Sequence, residues 1–273
     1  MERDVIVEPA GEGSVLLQPR AADEADLERR FGGLRRLYGD AAYGRIRAAR
    51  IAIVGVGGVG SWAAEALARS GVAALTLIDL DHVAESNINR QVQAIGATLG
   101  QAKVQALQER IADIHPGCVV TAVEEFVDTD NWPALLPQPV DIVIDACDQV
   151  RAKAAIAAWA LQTRTPLVLA GAAGGKRKPQ AIEVDDLAAT THDPLLASLR
   201  QRLRKQHGAA RSGAIGLRCV FSRESVAMPL GGAECDVVDS NLNCHGYGSS
   251  VTVTAAFGMT CAAVALEFAS TLK

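Results

Sequence analysis

Apolar and polar stretches alternate along the first two thirds of the chain in two kinds of segment. Short apolar runs, each followed by glycine, proline or acidic residues, predict buried strands at 51–55, 75–79, 119–124, 141–145 and 166–171. The segments between them predict helices at 61–70, 101–113, 130–136 and 151–162. This order predicts an α/β fold, in which a Rossmann-like, mostly parallel sheet has flanking helices.

The pattern changes after the glycine-rich segment 171–175. From there it predicts a smaller α+β part, with a strand at 181–185, a basic helix at 194–206, a mobile glycine-rich lid at 208–216 and a strand at 218–223. Residues 251–268 are apolar, but they include three threonines and end at Glu267. We therefore expect a helix buried against the sheet or in a dimer interface, and no stable membrane insertion.

Composition limits the class of protein. Hydrophobic residues make up 49% of the chain and aromatic residues only 4%, which suits close packing of helices on a sheet. No signal peptide is evident, and the cysteines form no C-x-x-C pair, so we expect a cytoplasmic protein with reduced thiols and no structural zinc. We expect Cys118, Cys147 and Cys261 in the core, whereas Cys235 and Cys244 lie in polar, glycine-rich surroundings and are candidate reactive thiols.

A glycine-rich turn follows the first strand and carries the most informative chemistry. Four of its residues are glycine, namely Gly55, Gly57, Gly58 and Gly60. Between a strand and a helix, such a turn directs backbone N–H groups and the helix dipole at one point, where phosphate binds. Asp79 ends the next strand, where an acid can bind ribose hydroxyls. This spacing alone is also typical of nicotinamide or flavin dinucleotide sites.

The residues after Asp79 favour a triphosphate. Arg90 and Lys103 can balance charge on an α-phosphate and on departing pyrophosphate, and Asn87 can hydrogen-bond a ribose or phosphate oxygen. Asp148 follows a further strand, where it can bind Mg²⁺. The sequence therefore predicts Arg90, Lys103 and Asp148 as catalytic residues and ATP with Mg²⁺ as cofactors.

In this ordered set of elements, the segment from Arg30 to Ala173 resembles the ubiquitin-activating, adenylate-forming superfamily (the MoeB and ThiF group). Further segments, among them Arg30–Gly39, Asp193–Leu195 and Cys219–Ser222, are similar to the bacterial tRNA threonylcarbamoyladenosine dehydratase (TcdA) family. That resemblance covers nearly the whole chain after about residue 25. It implies ATP-dependent adenylation of the threonyl carboxylate of a modified adenosine beside the anticodon, followed by ring closure.

The resemblance also implies partners and regions. An N-terminal arginine of the MoeB and ThiF group crosses a homodimer interface to ATP; Gly33 stands at that position here, so Arg35 or Arg36 must replace it. A monovalent cation and a sulfur-transfer protein are further candidate partners. We divide the chain into an N-terminal arm at 1–24, an ATP-binding adenylation region at 25–175, and a substrate-binding, tRNA-binding and dimerisation region at 176–273.

Basic residues of the second half are candidates for tRNA contact, although the net charge of the chain is −4. Seven of them form what we call the basic strip, which contains no acidic residue: Arg200, Arg202, Arg204, Lys205, Arg211, Arg218 and Arg223. Lys176, Arg177 and Lys178 form a second cluster, and His192 and His245 are candidate substrate contacts. A solvated helix face would show the same pattern, but the resemblance favours tRNA docking.

Three other functions compete. The first is adenylation of the C-terminus of a ubiquitin-like sulfur-carrier protein, which uses the same chemistry; the missing C-x-x-C pairs and the basic strip argue against it. The second is a nicotinamide-dependent oxidoreductase, against which Arg90, Lys103 and Asp148 argue. The third is a non-catalytic nucleotide-binding adaptor, which a pyrophosphate-release assay would distinguish.

Overall fold

The structure is a computed structural model that describes residues 26–227 and 247–272. The strands are β1 (Arg50–Val54), β2 (Ala74–Ile78), β3 (Val119–Val123), β4 (Ile142–Asp145), β5 (Leu167–Ala170), β6 (Ile182–Asp186) and β7 (Arg218–Ser222). The helices are α1 (Leu27–Phe31), α2 (Gly33–Tyr38), α3 (Asp40–Ala48), α4 (Gly60–Arg69), α5 (Lys103–Ile114), α6 (Val150–Thr163), α7 (Pro194–Gln206) and α8 (Val251–Thr271).

The strands form one sheet in the order β3-β2-β1-β4-β5-β7-β6, in which only β6 is antiparallel to its neighbour. The predicted α/β class with a mostly parallel sheet is therefore confirmed. β6 and β7 belong to the C-terminal part of the sequence, yet they extend the same sheet instead of forming a separate one. The division of the chain at residue 175 stays a prediction.

Alternating side chains of the buried strands supply two cores. Ile51 and Ile53 of β1 face one core, and Ala52 and Val54 face the other. Helices α4, α5 and α8 cover the first face, and α6 and α7 cover the second. Because both faces are covered, the strands read as continuous apolar runs, which is why the sequence pattern located them within a residue or two.

Two details differ from the sequence prediction. The predicted helix at 130–136 is wrong, because this segment consists of turns. Side chains there form hydrogen bonds with backbone groups that a helix would pair with each other. The Asp128 carboxylate accepts the N–H groups of Asp130 and Asn131, and the Asn131 side chain donates to the carbonyl of Phe126. Residues 208–216 form an irregular loop; their predicted role as a lid stays a prediction.

Helix α8 is long and apolar enough to cross a membrane by length and composition, a property that core helices of soluble proteins share. In the structure it packs against α3, α4 and the sheet. Its inward residues Val253, Phe257, Cys261 and Ala265 recur every four positions and are all buried. The prediction of a helix buried against the sheet is therefore confirmed.

Close packing of α8 on α4 depends on a glycine. A Cβ atom at Gly258 would lie 2.7 Å from the Cβ of Trp62 and against the carbonyl oxygen of Val59. We expect Gly258→Ala to lower the free energy of unfolding by about 1–3 kcal/mol, because neither contact can move aside cheaply.

The matched control is Gly44→Ala, in helix α3, where an added Cβ meets nothing within 4 Å. This change should stabilise the protein by about 0.4–1 kcal/mol, because alanine has less conformational freedom in the unfolded chain. Urea unfolding measures both variants. If Gly258→Ala is as stable as Gly44→Ala, the packing argument is wrong.

Candidate active site

A cavity lies at the carboxyl ends of β1, β2, β4 and β5. Within the sheet, β2 lies on one side of β1 and β4 lies on the other. The direction in which successive strands are added therefore reverses at β1. Open α/β sheets bind ligands in the crevice that such a reversal creates. The lining residues include Val54, Gly55, Gly58, Ile78, Asp79, Asp81, Arg90, Gln91, Phe126, Val127, Cys147, Asp148, Gly171, Ala172, Leu195 and Thr254.

The glycine-rich turn is shaped by close backbone approaches. Gly55 has a φ of +80°, and a Cβ there would lie 3.0 Å from the peptide between Ala146 and Cys147. A Cβ at Gly60 would overlap the carbonyl oxygen of Gly55, so this glycine permits the tight turn into α4. Gly55 and Gly58 line the cavity, whereas Gly57 and Gly60 do not.

Asp79 lies where the sequence predicts it, at the end of β2 and at the cavity wall. Its carboxylate accepts the N–H of Val56 at 2.8 Å and the N–H of Asp81 at 2.9 Å, so it also fixes the glycine-rich turn. Burial raises the pKa of Asp79 above its usual value, although Lys103 and the two N–H groups oppose this. Each carboxylate oxygen keeps a lone pair for a ligand hydroxyl.

Arg90 lines the same cavity, and its backbone is held from two sides. The Arg90 carbonyl accepts the indole N–H of Trp62 at 2.9 Å and the hydroxyl of Thr254 at 3.3 Å. Its guanidinium donates to the carbonyl of Ser86 at 2.7 Å and to the side chain of Asn89 at 3.0 Å. Trp62 thus positions Arg90, a role that sequence reasoning did not assign to it.

Asn87 and Lys103 are buried beside this cavity but are not among the residues that line it. The Asn87 side chain accepts the N–H of Ala84 at 3.0 Å. Lys103 begins α5 and places its ammonium 2.6 Å from a carboxylate oxygen of Asp81, which does line the cavity. Their predicted contacts with a nucleotide stay predictions.

Asp148 is an exposed carboxylate in the cavity, on the loop between β4 and α6. This loop rests on a fully buried ion pair that sequence reasoning missed. The ammonium of Lys153 lies 3.1 Å from the Oδ1 atom of Asp145, and it donates to the Asp145 carbonyl. The same carboxylate oxygen accepts the N–H of Cys147 at 3.1 Å, so the pair fixes the backbone that precedes Asp148.

Cys118 is half-buried and packs against the first core. Cys147 is half-buried as well: it packs against the second core, as predicted, and it also lines the cavity. Burial, with a contribution from Asp145, raises the pKa of this thiol well above its ordinary value. The thiol therefore stays protonated near neutral pH and is a poor nucleophile. Cys261 lies in the core as predicted, and Cys235, Cys244 and His245 lie outside the described residues.

Asp148 is one of four acids that line the cavity, with Asp79, Asp81 and Glu125, and Asp79 and Asp81 are already engaged by backbone N–H groups and by Lys103. Among residues 26–227 and 247–272, no cluster of three His, Cys, Asp or Glu side chains could hold a metal ion. Mg²⁺ is commonly bound by one or two carboxylates together with substrate phosphates, without a cage made by the protein. Asp148 therefore fits an ion that arrives with a nucleotide and supplies charge neutralisation there.

Arg35 and Arg36 lie on α2 and are not among the lining residues of this cavity. Arg35 pairs with Glu28 at 3.0 Å and Asp40 at 3.1 Å, and its guanidinium stacks on the ring of Tyr43. Arg36 is exposed and forms no ion pair within the described parts of the chain. Which of the two arginines would reach another subunit stays a prediction.

Asp193 connects the second half of the chain to the cavity, a role that only the structure reveals. It caps α7 by accepting the N–H of Leu196 at 3.0 Å, and its other oxygen accepts the N–H of Ala172 at 2.8 Å. A Cβ at Gly171 would collide with this carboxylate. The capping residue thus fastens the loop after β5, which lines the cavity, to the start of α7.

The hydrogen-bond partners show that each of the two basic clusters contains at least one cation that points into the protein. Lys176 is buried and donates to the carbonyls of His192, Ser222 and Glu224, and burial lowers its pKa; it is not a surface cation. The guanidinium of Arg200 points inward to oxygens of Leu187 and Thr190. The rest of the basic strip either remains at the surface or pairs with acids.

Comparison with known proteins gives consistent results. The ThiF family matches residues 30–272. The chain is 44% identical over 248 residues to the Escherichia coli tRNA threonylcarbamoyladenosine dehydratase, covering 88% of this chain and 92% of that protein. Its identity to the Haemophilus influenzae protein of the same name is 39%, over 85% and 90% of the two chains. A crystal structure of the E. coli enzyme TcdA in complex with ATP is similar with a TM-score of 0.80 and 43% identity, over 89% and 95% of the chains.

Proposed function

Because this chain belongs to the ThiF family, we propose that it catalyses the ATP-dependent dehydration of N6-threonylcarbamoyladenosine beside the anticodon of tRNA. The observation that carries the proposal is the cavity at the sheet reversal, in which the glycine-rich turn, Asp79, Arg90 and Asp148 converge. The E. coli and H. influenzae dehydratases align with 88% and 85% of the chain, so the similarity extends into its second half. The protein is thus an ATP-dependent enzyme of the adenylating class.

The residues suit carboxylate activation. A carboxylate oxygen of the threonyl group attacks the α-phosphorus of ATP, pyrophosphate leaves, and an acyl-adenylate forms. Backbone N–H groups of the glycine-rich turn bind phosphate, and Asp79 binds the ribose. Arg90 and Lys103 balance the negative charge that grows on the α-phosphate and on the leaving group. Asn87 hydrogen-bonds the nucleotide, and Asp148 binds the Mg²⁺ that accompanies it.

Ring closure needs no covalent enzyme intermediate. A nucleophilic atom of the neighbouring carbamoyl group attacks the activated carbonyl, and AMP leaves with the oxygen that the carboxylate contributed. Because both groups belong to one nucleoside, their effective concentration is high and the internal attack is fast. The raised pKa of Cys147, the cavity's own thiol, agrees with a route that uses no enzyme thioester.

Mass spectrometry of nucleosides tests the function. tRNA that carries N6-threonylcarbamoyladenosine is incubated with the protein and ATP, digested and analysed. The expected product is lighter by one water, and AMP and pyrophosphate form with it in equal amounts. An unchanged nucleoside, together with adenylation of a small carrier protein that ends in Gly-Gly, would establish the alternative of sulfur-carrier activation. ATP omission is the control.

Further partners belong to the same proposal. ATP binds with Mg²⁺, and a monovalent cation is a further candidate cofactor. We place the enzyme in the cytoplasm, where its tRNA substrate is found. A sulfur-transfer protein remains a candidate partner, and the surface that would receive it is not assigned.

The proposal includes a homodimer in which the α2 segment of one subunit reaches the ATP of the other. Arg36 supports this, since it is exposed and is not among the residues that line the cavity of its own subunit. Mixing two inactive variants provides the test. One carries Arg35→Ala and Arg36→Ala, and the other carries Asp148→Asn.

If the arginine acts on the partner subunit, a heterodimer contains one complete site, and exchange of subunits restores part of the activity. The site is complete in the subunit that keeps Asp148, because its partner keeps the arginines. Each variant alone stays inactive. No recovery after verified subunit exchange would show that the arginines act within their own subunit, whereas full activity of the arginine variant alone would show that they have no role. Single variants then decide between Arg35 and Arg36.

A further inference from the structure

Helix α7 connects the active-site cavity to a second cavity. Leu195, in its first turn, lines the active site, whereas Arg204 and Lys205, in its last turn, line the second cavity. Leu195 and Lys205 are ten positions apart, which corresponds to about 15 Å along the helix axis. The second cavity extends along α7 from Ala197 to Lys205, and its cations Arg204 and Lys205 lie in the last turn, away from Leu195.

The second cavity is formed where the chain turns back after α7. Its lining residues are Ala197, Arg200, Gln201, Arg204, Lys205 and Arg211. The first five lie at helical spacing on one face of α7. The loop is tied to this face, because the guanidinium of Arg204 donates to the carbonyl of Ala210 at 3.0 Å and the N–H of Ala209 donates to that of Leu203 at 3.2 Å.

The far end of the same loop is fixed by Asp186. Its carboxylate accepts the N–H groups of Ile215 at 2.8 Å, Gly216 at 2.7 Å and Leu217 at 3.1 Å. Although burial alone would raise the pKa of Asp186, these N–H groups lower it below its usual value. With both ends attached, the loop holds Arg211 opposite the helix, so the cavity is part of the fold.

The cavity is lined by cations without any carboxylate among its lining residues. In the parts of the chain that the structure describes, Lys205 and Arg211 form no ion pair, and Arg204 keeps the terminal nitrogens of its guanidinium free. Three cations in one concavity repel each other, and an anion between them would relieve the repulsion. Gln201 adds an amide donor.

Three other residues of the basic strip already have partners within the chain. Arg218 lies 3.5 Å from a carboxylate oxygen of Glu267, and Arg223 lies 2.6 Å from one of Glu183. The guanidinium of Arg200 donates hydrogen bonds to oxygens of Leu187 and Thr190. Apart from Arg200, the strip residues without an ion pair in the described parts of the chain are Arg202, Arg204, Lys205 and Arg211, and all but Arg202 line this cavity.

We propose that the cavity of Gln201, Arg204, Lys205 and Arg211 binds a backbone phosphate of the tRNA. This proposal rests on the proposed function, since it needs tRNA as the substrate. A phosphate bound at Arg204 and Lys205 would lie about 15 Å along the helix axis from Leu195, which lines the active-site cavity, and a few nucleotides of a folded RNA loop can span that distance. The planar guanidinium of arginine and the compact ammonium of lysine both suit the oxygens of a phosphodiester. Such contacts position the RNA backbone and do not distinguish one base from another.

Single alanine variants of the complete protein test the site. Arg204→Ala, Lys205→Ala and Arg211→Ala are compared with Arg218→Ala and Arg223→Ala, which remove the same charge from ion pairs. Anisotropy of a labelled anticodon stem-loop that carries the threonylcarbamoyl group gives the affinity over a range of salt. Circular dichroism verifies folding, and an ATP titration verifies the active site.

We expect each cavity variant to lose about tenfold in RNA affinity, because charged hydrogen bonds are lost. Its plot of log affinity against log salt should be less steep by about one unit, which is the mark of one lost phosphate contact. The two controls should change neither quantity appreciably, and ATP affinity should be the same throughout.

Equal losses in all five variants would mean that the surface attracts RNA diffusely, and would overturn the site. Binding of inorganic pyrophosphate that depends on the three cations, with RNA affinity unaffected by them, would assign the cavity to a free anion and overturn it as well. A wild-type protein that binds RNA through this cavity but leaves the modified nucleoside unchanged would contradict the proposed function alone. No RNA binding by the wild-type protein would contradict both.

Discussion

Asp148→Asn should lower the turnover number by about 100-fold or more, the loss typical of an electrostatic group that acts on developing charge. The carboxylate is exposed in the cavity, on the loop after β4, where the proposed function requires a nucleotide and its Mg²⁺. Asparagine keeps the size of the side chain but removes the charge that binds the ion. Single-turnover AMP formation measures the chemical step, and equilibrium titration measures ATP affinity.

We expect ATP affinity to change much less than turnover, since the charge on the α-phosphate and on pyrophosphate grows only as the reaction proceeds. The matched control is Asp130→Asn, an exposed acid whose side chain contacts only its neighbours' groups. Its turnover should equal that of the wild type. Near-normal turnover of Asp148→Asn would remove this residue from the catalytic set.

The second large effect is on stability. Lys153→Met should lower the free energy of unfolding by about 3–5 kcal/mol, because it leaves Asp145 as an uncompensated buried charge. Both side chains are completely buried and lie 3.1 Å apart. Within the described residues, the second carboxylate oxygen of Asp145 has no hydrogen-bond partner, so without Lys153 the carboxylate keeps only the Cys147 N–H as a donor.

The control is Lys178→Met, at an exposed position, where the change should be small. A double variant, Asp145→Asn with Lys153→Met, should recover much of the loss, because no buried charge remains. Urea unfolding of the set gives the coupling free energy between the two residues. A single Lys153→Met variant as stable as the wild type would show that the pair contributes nothing.

This pair also has a definite dependence on pH. Burial alone lowers the pKa of Lys153, but the Asp145 carboxylate more than offsets it, so the folded protein holds this proton more tightly than the unfolded chain does. The resulting stability is therefore complete below the ordinary lysine pKa of 10.5 and is lost as the pH rises through the higher folded value. The pair is fully effective at neutral pH.

Local patterns determined much of the fold and of the active site. The strand at 51–55, the glycine turn and the acid at Asp79 were predictable because each depends on neighbours in the sequence. Strands that are buried on both faces must be continuously apolar, and parallel strands bring their carboxyl ends to one edge. These two rules are sufficient to place Asp79 and Asp148 at the same cavity without knowledge of any long-range contact.

The tertiary structure alone decided which charges are available. Lys153 sits in an alanine-rich helix and gives no local sign that it is buried against Asp145. Similarly, Arg204 and Arg223 look equivalent in the basic strip, yet Glu183 pairs with Arg223 across two antiparallel strands, while Arg204 faces an unpaired cavity. The sequence shows where a charged residue occurs along the chain. Its burial and its ion-pair partner depend on residues that are distant in sequence. The energy of a charge depends on both, and only the folded chain brings them together.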